Sequence, residues 1–176
     1  KQAILPVALV AVGTVAVWEP HMKQLNRYVY KNVHTDMGGV DNYLQFAPLA
    51  LNLGITLGGV KSKYSNIDNL MATVTSVAVM YALTSTMKYT IREPRPYDAT
   101  ERNSFPSGHV ARAFRSAEMM RIQHGNWWGL SGYALASVVA YSRIAQGKHW
   151  LNDVIGGIGV GILSARIGYW LVPLER

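Results

Sequence analysis

Apolar residues gather in six stretches along the chain, at 3–18, 43–60, 67–87, 108–123, 127–141 and 151–173. Each is predicted to form a helix. A helix rises ~1.5 Å per residue, so about 20 residues cross a ~30 Å hydrocarbon layer. The last stretch fits that length best, broken only by Arg166, and its glycines at 156, 157, 159 and 161 mark a face where another helix can approach closely. The third carries Thr73, Thr75, Ser76, Thr84, Ser85 and Thr86, whose hydroxyls can hydrogen-bond within a bundle. The fourth holds Arg112, Arg115, Glu118 and Arg121. Charge at a bilayer centre is costly, so this helix is expected to face a bundle interior or a watery cavity, with Glu118 pairing Arg115 or Arg121.

The segment between the first two stretches has a different pattern. Met22, Leu25, Val29 and Val33 recur at spacings of 3, 4 and 4, while Lys23, Arg27 and Lys31 occupy other angles. That predicts an amphipathic helix over 20–34, lying in a membrane interface or on the surface of a soluble core. If all six longer stretches span, the connection between the third and fourth and that between the fifth and sixth emerge on the same side. Lys61, Lys63 and Arg121 mark the opposite side as cytoplasmic, which would put that shared face outside the cytoplasm.

Composition narrows the picture. The 176 residues suit one domain, 1–176, and the opening Lys1 in place of Met implies a missing or processed start. Hydrophobic residues make up 49% and charged residues 15%, which favours a membrane protein, although a mean hydropathy of +0.07 is modest for a bundle of spans. A net charge of +7 implies anionic partners, meaning phosphates, acidic lipid surfaces or nucleic acid. Nucleic acid is the weakest, because the cations form no basic tract. With no cysteine, disulfides, thiolate catalysis and cysteine zinc sites are excluded.

Candidate chemistry falls in the two connections on the shared face, in three segments: Lys88 to Pro96, Pro106 to His109 and Ser142 to Asp153. Four residues apart, His149 and Asp153 would share a helix face, letting the carboxylate accept the imidazole Nδ1–H and leave Nε2 free to attack. A purely structural pair capping the last helix fits those two residues as well. Pro106-Ser107-Gly108-His109 suits a helix start, with Ser107 as N-cap and Gly108 letting an anion approach free N–H groups; His109 would sit beside it, able to protonate a departing alkoxide. Lys88, Arg95 and Arg143 supply charge, arginine gripping two phosphoryl oxygens through its fork; facing lipid headgroups is their other use.

In this order the segments resemble the signature of the type 2 phosphatidic acid phosphatase superfamily: Lys-x6-Arg-Pro (Lys88, Arg95-Pro96), Pro-Ser-Gly-His (106–109) and Ser-Arg-x5-His-x3-Asp (Ser142-Arg143, His149, Asp153). The resemblance implies an all-α, six-transmembrane-helix bundle of the phosphatase and vanadium haloperoxidase type, and metal-independent hydrolysis of a phosphate monoester or pyrophosphate through a phosphohistidine. By position, His149 is the nucleophile, Asp153 its orienting partner and His109 the general acid. Lys88, Arg95, Ser107, Gly108 and Arg143 hold the phosphate. It implies no cofactor or metal, a phosphorylated lipid substrate, and a site facing the periplasm from a bacterial inner membrane. Asp41-Asn42-Tyr43-Leu44-Gln45-Phe46 and the Trp150-Leu151-Asn152-Asp153 ending lean towards the lipid A group, with undecaprenyl pyrophosphate and phosphatidylglycerophosphate as other substrates. A soluble acid phosphatase or haloperoxidase relative and an idle lipid-phosphate binding protein are the competing readings. One departure stands out: small residues usually follow Pro-Ser-Gly-His, whereas here Val110, Arg112 and Arg115 do, and Arg112 is expected to meet a second anionic group of a large substrate.

Overall fold

The computed structural model describes residues 2–172, and among them the chain forms helices and no strand. In order these are α1 (Ile4–Ala16), α2 (Pro20–Val33), α3 (Asp41–Leu44), α4 (Ala47–Leu57), α5 (Asn66–Ile91), α6 (Gly108–His124), α7 (Asn126–Ala145) and α8 (Leu151–Leu171). Local chemistry sets several boundaries. Glu19 caps α2, its Oε2 accepting the Met22 N–H at 2.6 Å, with Pro20 in the first turn where no N–H is needed. Ser65 caps α5 by accepting the Asp68 N–H at 3.1 Å. Arg92 ends that helix in the left-handed region, at φ +53°.

The second apolar stretch, expected as one helix over 43–60, is broken into α3 and α4. Pro48 has no N–H to give the carbonyl four residues back, so the ladder stops and restarts. Alone, α5 and α8 are long and apolar enough to cross a membrane, and α1 with α2, bent by 87° at their junction, makes a third span if taken as one. The six spans expected from sequence do not emerge on length and composition: α4 has 11 residues and α1 has 13, and α6 carries four charges.

Helix α8 lies at the centre, packed on α1, α5 and α6. Its glycines permit this. A Cβ on Gly161 would lie 2.4 Å from the Ala111 carbonyl oxygen, and one on Gly159 would lie 2.7 Å from that of Pro6. Val110, Phe114, Val139, Val154 and Ile162 fill the space between α6, α7 and α8. Helix α5 is inverted relative to a water-soluble helix: Asp68, Ala72, Ser76, Met80 and Thr84 are buried, while Ile67, Leu70 and Val74 are exposed. An apolar outer face with small and polar residues inside suits lipid surroundings.

The charges of α6 turn inward as expected, and the ion pair is with Arg121. The fully buried Glu118 accepts from Arg121 Nε at 2.6 Å, from Arg166 Nε at 2.6 Å and from the Tyr133 hydroxyl at 2.5 Å. Arg115 instead donates to the Ser76 hydroxyl at 3.0 Å.

Candidate active site

The turn between α7 and α8 positions His149. The Arg143 carbonyl accepts the N–H groups of Lys148 at 3.0 Å and His149 at 3.3 Å, with Gly147 at φ +63°. A Cβ on Gly147 would sit 2.4 Å from a Tyr30 ring carbon, so only glycine allows α2 to close over the turn. Trp150 is extended (φ −77°, ψ 164°), which leaves His149 outside α8. The expectation of a shared helix face is corrected here: Asp153, in the first turn of α8, reaches back over its own N-terminus. One oxygen, Oδ2, meets Trp150 N–H at 2.8 Å, the Ser104 hydroxyl at 2.5 Å and His149 Nδ1 at 3.2 Å. A carboxylate can only accept, so the proton resides on Nδ1 and Nε2 carries the lone pair. Burial pushes the His149 pKa down to about 4 against the opposing pull of Asp153, so the ring is neutral at physiological pH.

A further buried group surrounds this pair. Asn152 Nδ2 donates to both oxygens of Glu93, at 3.1 and 2.9 Å, and lies 3.3 Å from Asp153 Oδ1. Its Oδ1 accepts from Asn26 Nδ2 at 2.8 Å, and Asn26 Oδ1 accepts the Leu151 N–H at 3.1 Å, tying α2 to the start of α8. Burial, reinforced by the neighbouring Asp153 carboxylate, raises the Glu93 pKa far above the usual carboxylate range. The motif spacing singled out none of Ser104, Glu93, Asn152 or Asn26. Glu93 and Asn152 occupy variable positions inside the motifs, and Asn26 is 126 residues from its partner.

The other candidate residues gather around the same turn. The Ser107 N–H donates to the Asp153 carbonyl at 3.0 Å, docking the Pro-Ser-Gly-His segment on α8. Ser107 precedes α6 as expected of an N-cap, but its hydroxyl caps nothing: the buried Oγ lacks a partner among the described residues, as does the buried Arg143 Nε. Beside Gly108 the space a Cβ would take is open. Lys88 Nζ donates to the Asn103 carbonyl, and its charge reaches both imidazoles, His109 and His149. Arg95 Nε donates to Asn103 Oδ1 at 2.6 Å and pairs with Glu101 at 3.1 Å.

A short clasp completes the site from α3 and Gln45, the residue after it. Asp41 forms a buried ion pair with Arg143, Asn42 Oδ1 lies 3.1 Å from His109 Nε2, and Gln45 accepts from Arg112. Arg112 also donates to the Tyr81 hydroxyl at 2.7 Å and lies over the Phe46 ring. His34 borders the turn too, its Nδ1 3.1 Å from where a Cβ of Gly147 would stand. A separate hollow of about 580 Å³, lined by Lys63, Arg121 and Arg166, lies at the opposite end of α5, α6 and α8.

Known proteins resemble the chain in sequence and in fold. Lipid A 1-phosphatase of Porphyromonas gingivalis is 34% identical over 139 residues, covering 77% of this chain and 31% of that protein. Undecaprenyl-diphosphatase of Sulfolobus acidocaldarius is 34% identical over 83 residues, covering 47% of this chain and 37% of that protein. The chain therefore spans about a third of the length of these curated relatives. In fold it is similar to the crystal structure of Aquifex aeolicus LpxE, with a TM-score of 0.62 and 20% identity over 82% of this chain and 92% of that one. A family model described as the PAP2 superfamily matches residues 69–176, a range that contains all three motifs and their helices, and the chain belongs to that superfamily.

Proposed function

We propose that this chain is an integral membrane phosphatase that removes a phosphate from lipid A without metal, through a phosphohistidine on His149. The observation that carries the reading is the Asp153 oxygen that holds His149 Nδ1 at 3.2 Å, leaving Nε2 as a neutral nucleophile. Beside it, the unpartnered Ser107 Oγ and Arg143 Nε offer donors suited to phosphoryl oxygens. His149 Nε2 attacks phosphorus as the bond to the lipid oxygen breaks, and His109, which the bound phosphate anion keeps protonated against burial and the cations around it, gives that oxygen its proton. Neutral His109 then takes a proton from water, whose oxygen displaces His149 and releases inorganic phosphate. Lys88, Arg95, Arg143 and the N–H groups at Gly108 stabilise the charge spread over the equatorial oxygens. Arg112, engaged by Gln45 and the Tyr81 hydroxyl, is assigned no phosphate in this reading.

Lipid A as substrate rests on the likeness to the Porphyromonas enzyme. Undecaprenyl pyrophosphate is the second reading, favoured by the shorter match to the Sulfolobus enzyme. Helices α1 and α4 to α8 correspond to six spans in this reading, with α2 in the interface and the site facing the periplasm of a bacterial inner membrane. The test is incubation of purified protein with lipids labelled at phosphate. Lipid A should be cleaved faster than undecaprenyl pyrophosphate, an acid-labile, alkali-stable phosphoenzyme should form and vanish in His149→Ala, and EDTA should change nothing. A faster undecaprenyl reaction would reverse the substrate order. Inhibition by EDTA that a divalent ion reverses would overturn the metal-free mechanism, and absence of any phosphoenzyme would favour an idle binding protein.

A further inference from the structure

Outside the motifs, four cations converge where α2 faces the segment after α5. Lys23 and Arg27 of α2, with Arg92 and Arg102, line a groove of about 460 Å³ that also includes Trp18 and Trp150. A second hollow of about 520 Å³ shares Arg92 and Arg102 and also includes Lys88, so the groove neighbours one cation of the phosphate cradle. Among the described residues none of the four makes an ion pair or a side-chain hydrogen bond, although other arginines of the chain do. Glu93 also lines the groove, but both of its oxygens are held by Asn152 and burial keeps it protonated. Four like charges around one hollow repel each other until an anion joins them.

Backbone geometry adds an independent observation. Arg92 stands at φ +53°, a conformation that glycine or asparagine adopts at least cost, yet the position holds an exposed arginine. Trp150 is fixed at the rim by its Nε1–H bond to the Pro94 carbonyl at 2.8 Å, and Trp18 is 58% exposed. Tryptophan beside basic residues is the composition of a membrane–water interface, where lipid phosphates lie.

We propose that this groove binds a second lipid phosphate, held by Arg92, Arg102, Lys23 and Arg27 while another phosphate occupies the cradle at His149. The inference rests on the reading of that cradle as the hydrolytic site. The ligand is a phosphate on a lipid, and it has two sources: the far phosphate of a doubly phosphorylated substrate, or the headgroup of a neighbouring anionic phospholipid.

The test compares the wild type with the double variant Arg92→Gln/Arg102→Gln and with Lys31→Gln, which removes a charge from α2 outside the groove. Diphosphorylated lipid A and a form keeping only the scissile phosphate are assayed in neutral micelles, with and without phosphatidylglycerol. If the far phosphate is the ligand, the double variant raises KM for the diphosphorylated lipid roughly tenfold, leaves kcat and the monophosphorylated KM within about twofold, and Lys31→Gln changes neither. If a neighbouring lipid is the ligand, phosphatidylglycerol lowers the monophosphorylated KM in the wild type and not in the double variant. Equal KM values for wild type and double variant under every condition would overturn the proposal. A wild type that releases no phosphate from any lipid would overturn the hydrolytic reading instead. Binding is then read by tryptophan fluorescence during titration with dihexanoylphosphatidic acid on a His149→Ala background. Loss of the response on adding Arg92→Gln/Arg102→Gln supports the groove, and an unchanged response overturns it.

Discussion

Burial governs two titrating groups of the candidate site, His149 and Glu93, and in opposite senses. His149 is driven down to about 4 from an ordinary value of 6.5, so the acid limb of kcat/KM should fall nearer 4 than 6.5 in a pH–rate series. A limb centred on 6.5 would mean the ring is solvated. Stability follows the same sign. As pH falls from 6.5 towards 4 the unfolded chain protonates this imidazole and the folded one does not, so stability is lost across that window. Glu93 behaves conversely. Its folded pKa is raised, so above the ordinary value of 4.5 folding must retain a proton that the unfolded chain gives up. Rising pH therefore costs stability. Glu93→Gln keeps an acceptor for Asn152 without that titration, and its melting temperature should gain on the wild type between pH 4.5 and pH 8. A difference independent of pH would show that Glu93 ionises freely. None of this was legible from spacing, since His-x3-Asp gives a residue interval and not the solvent exclusion around it.

Helix contact sets the next scale, and glycine is its currency on α8. The run of glycines was readable as a close-approach face, and its partners are Pro6 and Val10 of α1 and Val110 and Ala111 of α6; α5 approaches at Gly168, outside that run, through Ala72 and Ser76. A side chain at Gly161 would strike the Ala111 carbonyl and the Arg115 N–H, both backbone groups with little room to yield. Gly161→Val should thus destabilise the fold by about 1–3 kcal/mol and lower activity by shifting α6 against α8. Thermal unfolding in detergent checks the first outcome and phosphate release the second. The segment 41–46 was readable only as a lean towards one lipid group; that its Asp41, Asn42 and Gln45 engage Arg143, His109 and Arg112 is decided by the packing of the helices.

Among the described residues, buried ion pairs gather in two places: at His149–Asp153 and Asp41–Arg143 at one end of the helices, and at Glu118 further along them. Glu118 binds α6, α7 and α8 together through Arg121, Tyr133 and Arg166. Truncating one member of such a group leaves the others desolvated without a partner, so Glu118→Ala should cost about 3–5 kcal/mol. Glu118→Gln, which keeps an acceptor, should lose less by the same thermal measurement. If the two variants unfold alike, the carboxylate is not what joins the helices. The outward apolar faces of α1, α4 and α5 complete the design of a bundle that keeps charges such as Glu118 and Arg143 inside.

What the amino-acid order determined unaided was local or combinatorial. Apolar runs specify helices because a chain must satisfy its own backbone in an apolar medium. The three motifs specify a chemistry because few arrangements of Lys, Arg, Ser-Gly-His and His-x3-Asp serve any other. Tertiary structure alone decided that α2 reaches the start of α8 beside the His149 turn through Asn26, that Glu93 lies beside Asp153, and that Asp41 holds Arg143. Those contacts join residues from about 60 to 126 positions apart. Helical periodicity and capping rules decay within a turn or two, so no local pattern encodes such pairings; they exist only once the helices have packed and excluded water from the groups between them.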